Sequence, residues 1–245
     1  MGRLMERWRW PSLLVGAFFT ALFIAWQALS AVNFLYPLWH KVLDIDDTVR
    51  VYGPQNRNRH GFEYTNAAEH ARLFAAIVHA VENGGRGLEN LHYRDGDGRP
   101  MGLLLTGPEI VHLRDVARLV GFFRTFGWAW TLIFIGLAAS LWLKPAPQPP
   151  LKKYLAYFTL IILLGTGAVL AIGPTAVFYK FHTWIFPAGH KWFFYYQESL
   201  MTTLMKAPTL FAGIAAEWLA LTLLGFALLI ALCVRLAPGR SAARS

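Results

Sequence analysis

Cysteine is nearly absent from this 245-residue chain. The single Cys233 permits no internal disulfide and no cysteine-based metal site. Charge is scarce as well: charged residues make up 15% of the chain and hydrophobic residues 56%. That balance, with a mean hydropathy of +0.38, excludes an ordinary soluble domain. The alternation of apolar and polar residues that marks outer-membrane strands is missing, so helices are preferred over a barrel. Charge inside the apolar runs is sparse, so a transporter is poorly supported.

What the chain has instead is four apolar runs, at 12–34, 119–143, 153–173 and 209–234. Each reaches the roughly 20 residues a helix needs to cross the hydrocarbon. The first run carries a passable cleavage site at Ala28-Leu29-Ser30, but it is longer than a signal-peptide core, so a retained anchor is expected. Arg3, Arg7 and Arg9 precede the first run, Lys144, Lys152 and Lys153 flank the connection 144–152, and Arg235, Arg240 and Arg244 follow the last run. Only Glu6 opposes them, and the positive-inside rule makes that side cytoplasmic. Both termini are then inside, and 35–118 and 174–208 outside. The formal charge of +9 is mostly this topology signal, so nucleic-acid binding is a poor reading of it. The expected fold is mainly α: a polytopic, four-helix transmembrane bundle with a small extracytoplasmic α+β cap.

The cap segment 35–118 has local signals of its own. Asn66 and Glu69 form a capping pair before an amphipathic helix with the apolar stripe Leu73, Phe74, Ile77, Val78 and Val81, ended by Gly84 and Gly85. Residues 88–106 read as a β-hairpin around Asp95-Gly96-Asp97-Gly98, and 49–52 (VRVY) as a third strand. Thr106 and Glu109 form a capping box with Pro108 in the first turn. The helix it starts is expected to run unbroken into the second span. KPAPQPPLKK at 144–153 reads as a stiff connection.

All eight histidines fall in the two outer segments. His112 and His182 stand out, seventy residues apart and each just outside the same membrane face. Histidine is the side chain best suited to moving protons near neutral pH. Glu109, His112 and Asp115 are spaced to share a helix face, so the carboxylates are expected to fix the imidazole. His182 sits in an interfacial segment dense in aromatics, from Phe178 to Tyr196. Inside the spans, Glu217 and Arg124 lie at comparable depth, and an ion pair between them is expected.

The run Glu109-x-x-His112-x-x-Asp115-Val116, then Phe181-His182-x-x-x-Phe186 and Trp192, with Leu200–Phe211 and Pro208 before the last span, resembles the lipoprotein intramolecular transacylase family. The resemblance implies an enzyme of the bacterial cytoplasmic membrane with its active site on the extracytoplasmic face. Its partner would be the N-terminus of a diacylglyceryl-modified lipoprotein within membrane lipid. The acyl chain would pass from the sn-2 glyceryl oxygen to the free α-amine of the N-terminal cysteine, giving the lyso form. No cofactor and no metal are implied. His112 and His182 would be the catalytic pair, Glu109 or Asp115 would orient His112, and Tyr179 would offer a hydrogen bond to the oxyanion. The 88–106 hairpin would be a thumb-like projection. Three other readings compete: a bis-histidine haem or quinone protein, another lipid-directed acyltransferase or hydrolase, and a non-enzymatic membrane partner.

Overall fold

Four helices carry nearly all the long apolar runs. In the computed structural model, which describes residues 2–143 and 151–236, they are α1 (Gly2–Ala31), α5 (Gly107–Leu143), α6 (Leu151–Ile172) and α9 (Thr209–Leu236). Each is long and apolar enough to cross a membrane. Between α1 and α5 lie α2 (Tyr36–Val42), α3 (Ile45–Tyr52), α4 (Ala67–Glu82), β1 (His92–Arg94) and β2 (Pro100–Leu103). Between α6 and α9 lie α7 (Pro174–Ile185) and α8 (Leu200–Met205). The proline-rich connection at 144–150 falls outside the described residues. α1 stops at Ala31, short of the apolar run's end at 34, because Asn33, Phe34 and Leu35 all take left-handed backbone angles and turn the chain.

The chain divides into two compact units. One joins the stretch up to Gln27, Arg124–Phe178 and the stretch from Trp218; the other joins Ala28–Phe123 and Tyr179–Glu217. In the first unit, Leu13, Ala17 and Ala21 of α1 meet Phe134 and Leu141 of α5 and Phe226, Ile230 and Cys233 of α9 in one core, with Phe158 of α6 packed against it. Three rings lock its centre: Phe158 lies 4.8 Å from both Phe18 and Phe226. Small residues let the backbones approach, and Gly127 of α5 faces Phe23 of α1 so closely that a Cβ would fall 2.3 Å from the ring. The outer faces stay apolar: on α6, Ile161 is 67% exposed and Leu164 64%. Such a surface suits hydrocarbon as the surrounding solvent and not water.

The second unit is built on Tyr36, Ile45, Val49, Phe62, Leu73, Phe74, Tyr93 and Leu104, all buried. Tyr36 stacks on Phe74 at 4.3 Å and donates to Leu204 O at 2.7 Å. Residues 49–52 belong to helix α3, which corrects the reading of VRVY as a strand. Asp46 and Asp47 favour a helix start in its first turn, and Ile45 and Val49 are buried on one face four residues apart. At the start of α4, Asn66 caps as expected, accepting from Glu69 N at 2.9 Å. The Glu69 carboxylate does not close the box. It binds Arg72 through both oxygens at 2.6 Å and accepts from Arg94 N at 2.8 Å, tying β1 to α4. β1 and β2 pair antiparallel, with His92 opposite Leu103 and Tyr93 opposite Gly102, around the expected turn.

Because Gly127 admits the Phe23 ring, Gly127→Ala is expected to cost about 1–3 kcal/mol by overpacking. Thermal unfolding in detergent should show a lowered Tm, partly restored by adding Phe23→Leu.

Candidate active site

α5 begins where Thr106 N and Thr106 Oγ1 both donate to Glu109 Oε2, at 2.5 and 2.6 Å. The capping pair thus forms through the carboxylate. Glu109 is fully buried, and its other oxygen, Oε1, accepts from Ser199 Oγ. Ser199 is itself the N-cap of α8, accepting from Thr202 N at 2.9 Å. Two turns along α5, Asp115 accepts from Arg118 at 2.8 Å and from His190 Nδ1 at 2.5 Å. Between these two anchors lies His112, with Phe186 at 4.8 Å and Phe194 at 6.0 Å between ring centroids.

The contacts run in antiparallel order. Glu109 meets Ser199, His112 meets Phe194, and Asp115 meets His190. This face of α5 is therefore zipped to the segment 190–199. The expectation that Glu109 or Asp115 would orient His112 takes a different form here. Their hydrogen bonds go to Ser199, Thr106, Arg118 and His190, and His112 Nδ1 is buried with no hydrogen-bond partner. The carboxylates fix the elements on either side of the imidazole.

His182 comes from α7, a helix that the aromatic-rich sequence did not announce. Its ring lies 6.3 Å from that of His112, 5.2 Å from Phe186 and 5.0 Å from Trp192. The structure thus brings together the two histidines singled out from the sequence. Phe186 packs against both rings. Tyr179 packs against Trp192 and Phe193 at 5.5 and 5.7 Å. Sequence reasoning missed Ser199, Phe194 and the role of His190. The only signal available was Ser199 as an N-cap three residues before Thr202.

Glu217 takes its hydrogen bond from Trp39 Nε1 at 3.0 Å, and its Oε1 is buried without a partner. That bond holds the start of α9 to α2 within the second unit. Arg124 belongs to the first unit.

A second histidine pair lies elsewhere in the same unit. His40 Nε2 and His70 Nδ1 are 2.9 Å apart, both rings are buried, and Asp46 Oδ1 stands 3.5 and 3.6 Å from them. Burial, followed by the nearby His40, pushes His70 down to about 4, so this imidazole is neutral at pH 7.

The overall fold is that of a multi-pass membrane protein. The membrane-integral lipoprotein intramolecular transacylase Lit from Bacillus cereus matches with a TM-score of 0.68 at 19% identity, over 96% of this chain and 97% of that one. Two variants of that protein, in which a histidine is replaced by arginine or alanine, match at 0.67 and 17% identity over 96% of this chain. They cover 93% and 94% of their own chains, respectively. No curated protein sequence matches. The family signature spans residues 12–207, and the chain belongs to the lipoprotein intramolecular transacylase family, Lit. It is a multi-pass membrane protein of a transacylase family.

Removing the hydroxyl that serves the buried Glu109 leaves a polar group short of a partner. Ser199→Ala should lower stability by about 1–3 kcal/mol. A Tm equal to wild type in the same detergent would show that the bond contributes nothing.

Proposed function

We propose that this protein moves an acyl chain within one lipoprotein molecule, from the sn-2 glyceryl oxygen to the α-amine of the N-terminal cysteine. His112 and His182 would carry the protons. The observation behind this is their approach to 6.3 Å from positions seventy residues apart, within a cluster of Phe186, Phe194 and Trp192. The amine attacks the ester carbonyl, the N–C bond forms, and the C–O bond to glycerol breaks. One imidazole accepts the ammonium proton as the adduct forms, and one returns a proton to the departing glyceryl oxygen. The reaction is balanced without water or any other reactant. Nucleophile and ester belong to one molecule, so the protein's main task is to hold them in contact and relay the proton. His112 Nδ1, buried and unpaired, is a position where a substrate proton has no protein competitor. Tyr179, on the same helix as His182, is the proposed donor to the oxyanion. Glu109 and Asp115 act by positioning, through Ser199 and His190. The aromatic rings around the pair would seat the acyl chains.

The proposed setting is the bacterial cytoplasmic membrane, with both termini inside and with 35–118 and 174–208 on the extracytoplasmic face. Support comes from the basic residues at one set of span ends, Arg9, Lys152, Lys153 and Arg235, against the neutral charge balance of the long connection. Both histidines of the pair would then face the compartment where lipoprotein N-termini lie.

Tandem mass spectrometry of a lipoprotein's N-terminal lipopeptide tests the reaction. In a host without N-acylation, wild type should yield N-acyl-cysteine fragments at unchanged total mass. His112→Ala and His182→Ala should each reduce them by about 100-fold or more. Persistence of the free-amine diacylglyceryl form with well-expressed wild type would overturn the reading.

Orientation has its own measurement. In a Cys233→Ser background, Asp97→Cys in the hairpin turn should react with a membrane-impermeant maleimide on intact spheroplasts. Labelling that appears only after lysis would invert the topology.

A further inference from the structure

We propose that His40 Nε2, His70 Nδ1 and Asp46 Oδ1 form a three-point site for a divalent transition cation of the zinc class, with water in the fourth position. The three residues come from three helices, α2, α3 and α4, and take no part in the His112/His182 pair. Their ligand atoms form a triangle with edges of 2.9, 3.5 and 3.6 Å. Zinc bonds of about 2.0–2.1 Å at tetrahedral angles require edges of about 3.3 Å, the mean size of this triangle. One nitrogen–nitrogen edge is shorter than that, and a cation would open it by a few tenths of an ångström.

The tautomer of His70 fits. Thr65 Oγ1 donates to Phe62 O at 2.6 Å, so it must accept from His70 Nε2, also at 2.6 Å. The proton therefore sits on Nε2, and the Nδ1 lone pair points into the triangle. A ligating imidazole whose other nitrogen donates to a fixed oxygen is the usual support of a metal-bound histidine. Both rings are buried, whereas the Asp46 side chain is 57% exposed, which leaves the fourth position open to solvent. Asp44, next along the chain to α3, adds a second negative charge near His40. Two neutral imidazoles and a carboxylate are a borderline N/O donor set, better matched to zinc than to calcium or magnesium. The resemblance to the transacylases implies no metal, so such an ion would be structural, clamping α2, α3 and α4.

The test uses the full-length protein in detergent, purified through a tag without histidine and stripped with a chelator. Zinc is titrated calorimetrically, and cobalt is added to read the visible bands of a tetrahedral site. One equivalent should bind, raise the Tm, and survive in the His112→Ala/His182→Ala double variant. Asp46→Asn, at an exposed position that should not disturb folding, should weaken binding by at least about tenfold and remove the Tm rise. His40→Gln should do the same. No uptake by wild type, uptake indifferent to Asp46→Asn, or uptake lost with the His112/His182 variant would each overturn the proposal. The first of these would leave the pair as a hydrogen-bonded strut.

Discussion

A carboxylate stripped of water must find donors inside the protein or destabilise the state that buries it. Glu109 finds three: the amide and hydroxyl of Thr106 and the hydroxyl of Ser199. That one group starts α5, fixes which face of its first turns points inward, and draws in the N-cap of α8. Once that rotation is set, side chains three and six residues later follow the same face. His112 is carried into the aromatic cluster, and Asp115 is delivered to His190. The imidazole pair is thus a result of anchoring on both sides of it, and neither anchor touches the ring.

This arrangement explains why the surroundings of the pair are apolar. The carboxylates that could have accompanied the histidines are engaged with Ser199, His190 and Arg118. Phe186 lies against both rings, Phe194 beside His112, and Trp192 and Phe181 beside His182. An acyl chain of the proposed substrate would find rings to lie against.

Much of this was legible in the sequence where the determinants are local. The four long helices are written in uninterrupted apolar runs, and Asn66 and Thr106 announce α4 and α5 through capping chemistry that acts within three residues. The hairpin turn follows from its Asp-Gly pairs. VRVY misled because four residues cannot separate a period of 2 from one of 3.6, and the decisive cue, Ile45 with Val49 on one buried face, lies partly outside the motif. The partners of the site carboxylates were not legible. Ser199 lies ninety residues beyond Glu109, His190 lies seventy-five beyond Asp115, and nothing in the intervening chain reports that pairing. Trp39 as the partner of Glu217 was hidden for the same reason, across 178 residues.

Those sequence separations set an order of events during synthesis. Glu109 can cap α5 as soon as Thr106 is in place, because that contact is local. The meeting of His112 with His182 must wait until the ribosome has made the rest of α5, then α6 and α7, and the bond of Glu109 to Ser199 also needs the segment that follows. Until then Glu109 lacks its Ser199 donor and His112 lacks its partner ring. Contacts this distant in sequence form late and slowly. A nascent or truncated chain ending before residue 182 therefore has half of the histidine pair, and one ending before 199 lacks the serine that holds Glu109. The His112/His182 pair is confined to molecules whose insertion is nearly finished.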